Sequence, residues 1–201
     1  MSAVPIRLLL ADDQALVRGA LSALLGLEPD LEVVAEVGTG DEVVPAALRH
    51  RPDVAVLDVE MPGMDGITAA AALPSTRVLV VTTFGRPGYL RRALQAGASG
   101  FVVKDTPAAQ LADAVRRVHA GLRVVDPVLA ADSLAAGESP LSPRETEVLR
   151  AARDGAPVAA LARRLSLSEG TVRNHLSAAI GKTLAANRAE AVRTAEDHGW
   201  L

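Results

Sequence analysis

Apolar positions in the first 125 residues gather into five short runs, IRLLLAD, LEVVAEVG, VAVLDV, RVLVVTT and GFVVKD, each bounded by polar or turn-forming residues. Runs this short and this continuously apolar predict strands covered on both faces. Between them, segments 15–27, 41–50, 66–73, 87–96 and 107–120 carry apolar residues at helical spacing and stop at signals such as Arg51-Pro52, Leu73-Pro74, Gly97 and Gly121. The alternation predicts a five-stranded parallel sheet with helices on both faces, a doubly wound α/β domain spanning residues 1–125. Thr106-Pro107 reads as an N-cap followed by proline at the first helical position.

The pattern then changes. Residues 126–140, DPVLAADSLAAGESP, hold three acids, no base and little aliphatic bulk, and read as a linker with a helical turn or two. From 141 to 201 only helical periods remain, at 143–153, 157–165, 169–183 and 187–197, which predicts an all-α four-helix domain. Ser166-Leu167 makes a tight joint between the second and third of these, and Ser168 caps the third. On its wheel Val172, Leu176, Ala179 and Ile180 form the core face, while Gly170, Arg173, Asn174, Ser177 and Gly181 lie opposite. Small residues there would let a helix enter a groove, and Arg173 and Asn174 could bond base edges. The wheel alone does not choose between that and an ordinary solvated face.

Composition narrows the chemistry. The 201 residues carry 21 Lys+Arg against 24 Asp+Glu, a net charge of −3, so any nucleic-acid contact must be local. The segment 141–201 is the net basic part, with nine cations against seven acids. The absence of cysteine excludes disulfides and thiolate metal sites and fits a reducing compartment. No apolar run approaches the length of a membrane span, and MSAVPIRLLLADD is too short in apolar residues for a signal peptide, so a cytoplasmic protein without membrane contact is expected.

In a parallel sheet, ligands gather beyond the carboxyl ends of the strands. Asp12 and Asp13 end the first run, Asp58 the third, Thr82 and Thr83 the fourth, and Lys104 the fifth. Any one of these aspartates alone would read as a helix cap. Together, three carboxylates at one edge call for a hard divalent cation such as magnesium or manganese, and a lysine with a hydroxyl suits phosphoryl oxygens. Turns at Met61-Pro62-Gly63 and Asp65-Gly66 are expected to keep Asp58 exposed. Phosphatases of the haloacid dehalogenase type also use a strand-end aspartate, but they need a second acid two residues on, and here the sequence runs Asp58-Val59-Glu60.

The acidic pair, Asp58 in VLDVEMPGMDG, Thr82 in VVTTF and Lys104 in GASGFVVKD resemble the receiver domain of bacterial two-component response regulators. The resemblance covers about 120 residues. It implies phosphorylation of Asp58 by a partner histidine kinase, with Mg²⁺ held by Asp12, Asp13, Asp58 and the backbone carbonyl of Glu60. Lys104 would pair with the phosphoryl group, with Thr82 and Phe101 as a switch pair. Asp105 departs from the family, where many members have proline.

LSPRETEVLR, ALARRLSLSEGTVRNHL and NRAEAV resemble the LuxR-type DNA-binding domain of NarL/FixJ-class regulators. That resemblance implies a non-enzymatic transcription regulator whose Ser168, Thr171, Arg173, Asn174, Ser177 and Lys182 face double-stranded DNA at a palindromic operator. Arg173 and Asn174 would read bases and Lys182 would contact phosphate, while Arg144, Glu145 and Glu147 would serve as structural pairs. Ser177, Leu184 and Ala186 depart from the family, where longer basic residues or glycine are common. Phosphorylation is expected to promote a homodimer. The apolar arc of helix 15–25 spans half the wheel or more, more than one core face needs, which nominates Val17, Leu21 and Leu25, with Ala112 on the fifth helix, as the interface.

Overall fold

The computed structural model of the chain describes residues 4–83, 87–135, 137 and 139–201; at 87, 132, 134 and 135 it describes the backbone alone. Residues 1–3 of the expected signal-free start, and positions 136 and 138 of the expected linker, lie outside the described residues.

The strands are β1 (Ile6–Ala11), β2 (Leu31–Val37), β3 (Val54–Asp58), β4 (Arg77–Thr82), β5 (Gly100–Val103) and β6 (Val124–Val125). They form one parallel sheet in the order β2-β1-β3-β4-β5-β6. The sheet therefore has six strands where five were expected. β6 pairs Gly100 with Val124 and Phe101 with Val125, and two residues are too few to show an alternation in sequence.

Five helices cover it: α1 (Ala15–Gly26), α2 (Gly40–His50), α3 (Gly66–Ala71), α4 (Pro87–Gln95) and α5 (Ala108–His119). Because side chains alternate across the pleat, each strand feeds two cores. Leu8, Leu10, Val54, Val56, Leu79 and Val81 pack with Leu25 of α1 and Leu111, Val115 and Val118 of α5. Leu9, Ala55, Leu57, Val78, Val80 and Phe101 pack with Val43 of α2, Ile67 of α3 and Leu90 of α4. The start of α5 differs by one position from expectation. Pro107 is the extended N-cap, with φ −54° and ψ 141°, Ala108 begins the helix, and no side chain caps it. Gly121 closes it at φ +85°, a conformation glycine adopts without strain.

The expected linker contains a nine-residue helix, α6 (Pro127–Ala135), whose Leu129 is buried in the α2–α4 side core. Residues Ala131–Leu201 belong to a second compact unit.

The second unit is helical: α7 (Pro143–Ala151), α8 (Val158–Leu165), α9 (Glu169–Lys182) and α10 (Arg188–Asp197). Its core joins Val148, Leu149, Leu161, Val172, Leu176, Ala179, Val192 and Ala195. Ser142, Ser168 and Asn187 cap α7, α9 and α10 by accepting the backbone N–H three residues on. α8 ends on Ser166 in the left-handed conformation, and Leu167 N–H then reaches the Ala162 carbonyl, closing the tight joint to α9.

Candidate functional site

The carboxyl edge of the sheet assembles the residues expected there. Asp12 follows β1, Asp58 ends β3, Thr82 ends β4 and Lys104 follows β5. Lys104 N–H donates to the Thr82 carbonyl at 2.8 Å, extending the β4–β5 ladder by one bond and aiming the lysine across the edge. Its ammonium lies 2.7 Å from Asp12 Oδ2 and 2.8 Å from Asp58 Oδ2. Asp12 is 2% exposed and Asp58 5%. Carboxylate oxygens of Asp12, Asp13 and Asp58 all lie within 4.8 Å of one another, and Asp13 stands in solvent at the mouth.

Asp58 is thus buried, against the expectation of an exposed side chain. Val59 and Met61 turn inward beside it, and Gly66 lies so close that a Cβ there would sit 1.8 Å from the Asp58 carbonyl oxygen. The loop is pinned from the other side too, since Gly40 N–H donates to the Pro62 carbonyl at 3.2 Å. Burial raises the Asp58 carboxyl above the ordinary range, and Lys104 only partly offsets it. Burial works to lower the Lys104 ammonium, but its hydrogen bonds to Asp12 and Asp58 prevail and raise it. The Lys104 ammonium is thus held between the Asp12 and Asp58 carboxylates. An all-oxygen donor set around one cationic centre fits a hard divalent ion, with Asp12, Asp13 and Asp58 as its carboxylates.

Thr82 and Phe101 are both buried on the α2–α4 face. Val80 pairs with Phe101 and Thr82 with Val103, so the two expected switch residues are diagonal neighbours on adjacent strands. The Glu60 side chain accepts a hydrogen bond from Tyr89 of α4 at 3.1 Å.

Sequence reasoning missed Arg18, Gly40 and the capping box of α2. Arg18 Nη1 reaches the Asp12 carbonyl at 2.5 Å. Thr39 and Glu42 cap α2 reciprocally, and the Thr-x-x-Glu spacing was a readable signal for it.

In the helical unit, α9 presents Ser168, Arg173, Asn174, Ser177 and Lys182 on its exposed side, with Thr171 half-buried. Ser168 Oγ accepts from Thr171 N–H at 3.1 Å and is therefore also the helix cap. Arg173 pairs with Glu169 one turn back at 2.6 Å. Lys182 Nζ lies 2.8 Å from Glu145 Oε2, and the same carboxylate accepts Ser142 N–H at 2.7 Å. These bonds, Lys182 first, hold the Glu145 carboxyl below the usual range. Arg144 pairs with Glu147 within α7.

Two of the expected dimer residues cannot serve. Leu25 and Ala112 are each 1% exposed, inside the domain's own core with Leu8 and Val115. Val17 and Leu21 are half-buried, and the exposed apolar side of α1 runs instead through Leu16, Ala20, Ala23, Leu24 and Leu27. A wheel gives the width of an apolar arc, and packing decides which half of it turns inward.

A cluster of three carboxylates and a lysine at the sheet edge, in one chain with a capped helix-turn-helix, is matched by two family models: the response regulator receiver domain over residues 8–116 and the bacterial regulatory proteins, luxR family, over residues 139–195. The chain is a DNA-binding response regulator of the LuxR family. The regulator is 42% identical to the transcriptional regulatory protein DesR of Bacillus subtilis (strain 168), over 98% of this chain and 99% of that one. It is 40% identical to the response regulator RamR of Streptomyces coelicolor over 97% and 98% of the two chains. Among solved structures, the response regulator ChrA of a heme-sensing two-component system is similar with a TM-score of 0.60, 34% identity and coverage of 99% and 100%. The RcsB response regulator in its DNA complex shares the fold at a TM-score of 0.68 with 24% identity, covering 96% and 98%. These relatives are regulators rather than enzymes. No helix among the described residues is long and apolar enough to cross a membrane.

Proposed function

We propose that the regulator is phosphorylated on Asp58 by a sensor histidine kinase in a Mg²⁺-dependent step, and that the phosphorylated form dimerises and binds a palindromic operator. The observation that carries this reading is the Lys104 ammonium bridging Asp12 and Asp58, 2.7 and 2.8 Å away, beside Asp13. Asp12, Asp13, Asp58 and the Glu60 carbonyl would hold the ion, which when bound supplies charge neutralisation at the phosphoryl oxygens. A carboxylate oxygen of Asp58 attacks phosphorus in line, the P–N bond to the kinase histidine breaks, and the freed imidazole takes up a proton. Lys104 then leaves Asp12 for a phosphoryl oxygen, and Thr82 turns toward the new charge with Phe101 adjusting beside it.

For the dimer, α1 supports a revised surface. Leu16, Ala20, Ala23 and Leu27 form a stripe at helical spacing, with Leu16 87% exposed and Leu27 79%. In the helical unit, Arg173 and Asn174 read bases from an exposed face, and Ser168, Thr171 and Ser177 line the approach. Lys182 adds positive charge near phosphate while tied to Glu145.

Incubation of the full chain with acetyl phosphate, followed by intact-mass measurement and light scattering, tests the reading. A phosphorylated species should require Mg²⁺, vanish in Asp58→Asn and be larger than the untreated protein. Phosphorylation that persists in Asp58→Asn would refute it. Sequencing the genomic fragments that the phosphorylated protein retains would yield the operator and its symmetry.

A further inference from the structure

Asp12 lies just past the end of the β1 ladder, whose last pairs are Ala11 with Val37 and Ala11 with Leu57, and before α1 begins at Ala15. Its four polar atoms are nevertheless all engaged. Its N–H donates to the Val37 carbonyl at 3.2 Å, Oδ1 accepts from Gln14 N–H at 2.9 Å, and Oδ2 meets Lys104 at 2.7 Å. The carbonyl, beyond the ladder and short of the helix, meets a side chain instead. Arg18 Nη1 donates to it at 2.5 Å. A buried carbonyl that loses such a donor bears most of its desolvation cost, so its peptide plane turns until it finds another donor.

Arg18 is itself steered. It sits on the first full turn of α1 with its side chain 21% exposed, and its Nε lies 3.9 Å from Glu36 Oε2 at the end of β2. Glu36 is fixed in turn by Ser22 of α1, whose hydroxyl donates to Oε1 at 2.7 Å. The guanidinium therefore spans a β2 carboxylate and the peptide that links Asp12 to Asp13. That peptide sets the angle between the two carboxylates of the acidic pair.

We infer that Arg18 is a positioning residue for the metal pair: by fixing the Asp12 carbonyl it orients the Asp12-Asp13 peptide so that both carboxylates face one cation. The inference rests on the Mg²⁺-dependent reading of the site. Outer partners that orient ligands typically govern affinity by about 10–100-fold. Arg18 touches no ligand atom of the pair, and its effect is on affinity rather than on the phosphoryl step.

The test uses the full chain and Mn²⁺, titrated by electron paramagnetic resonance, which reads free ion without turnover. Arg18→Met keeps the aliphatic stem and removes the donors, and should weaken Mn²⁺ binding about tenfold. Arg18→Lys keeps one donor but cannot span both the carbonyl and Glu36, and should fall between, at about threefold. Phosphorylation of Arg18→Met by acetyl phosphate should be slow at low Mg²⁺ and recover at saturating Mg²⁺. An Arg18→Met affinity within about twofold of wild type, or a phosphorylation deficit that saturating Mg²⁺ leaves in place, overturns the inference. Should Arg18→Met fail to fold, Arg18→Lys decides, and wild-type affinity there overturns it. A wild-type chain that binds no Mn²⁺ would sink the proposed function itself, whereas normal wild-type binding matched by Arg18→Met would sink only the role of Arg18.

Discussion

Replacing Glu145 by alanine should destabilise the helical unit selectively. The carboxylate is buried, accepts the Ser142 N–H at 2.7 Å and pairs with Lys182 at 2.8 Å, so it ties the start of α7 to the last turn of α9. Losing a charge-assisted bond to a backbone cap costs about 1.5–3 kcal/mol. The ion pair adds at most about 1 kcal/mol, because Lys182 is half exposed and can turn to water. The sum, about 2–4 kcal/mol, is a large share of the roughly 3–9 kcal/mol a domain of this size has in total. Trp200 provides the assay. It is the chain's single tryptophan, packs against the helical core and stacks on His198 with ring centroids 4.5 Å apart. Urea unfolding of the full chain followed by tryptophan fluorescence therefore reads the loss of packing around Trp200 in this unit. Lys182→Ala should cost less than Glu145→Ala, since Ser142 still satisfies the carboxylate. The pH dependence has a definite sign. With the Glu145 carboxyl lower in the folded state than unfolded, its contribution is complete above about 4.5 and is lost as pH falls through the folded value. Glu145→Gln should flatten that acid limb. A Glu145→Ala loss below about 0.5 kcal/mol, or a Lys182→Ala loss exceeding it, would refute the reasoning.

Glu169→Gln frees Arg173 from an exposed pair and removes a negative charge near phosphate; salt-controlled fluorescence anisotropy should show DNA affinity rising about twofold or more, and an unchanged affinity would count against Arg173 as a contact. Leu184 lies just past the C-cap of α9 at φ 53° and is 93% exposed, so Leu184→Gly should raise the Trp200-detected unfolding free energy by about 1 kcal/mol. Gly66→Ala places a Cβ against the Asp58 carbonyl and should abolish acetyl-phosphate labelling while leaving the Trp200 transition in place. Leu16→Glu should leave labelling of Asp58 intact and remove the phosphorylation-dependent increase in size by light scattering, whereas a dimer that survives it would move the interface off α1.

The elements, and the edge at which the chemistry collects, were legible in the pattern of residues along the chain. Fully buried parallel strands must be continuously apolar, so five of them stand out as runs, and the topology of a parallel sheet sends every strand-end residue to the same rim. Asp12, Asp13, Asp58, Thr82 and Lys104 were placed together on that ground, and the LuxR-type joint was legible from Ser166 to Ser168 because caps and turns are local chemistry. Which side chains face one another came only from packing. β6 and the inward turn of Leu129 depend on neighbours far off in the chain, and so does the burial of Asp58 beneath Lys104. The apolar arc of α1 was visible, yet only packing against the sheet put Leu25 inside and Leu16 outside. Glu145 and Lys182 meet across 37 positions, and Arg18 meets a backbone carbonyl, an acceptor that carries no residue identity. Periodicity is a property of one element, whereas partnership is set when elements pack, so it cannot be read from a single element's pattern.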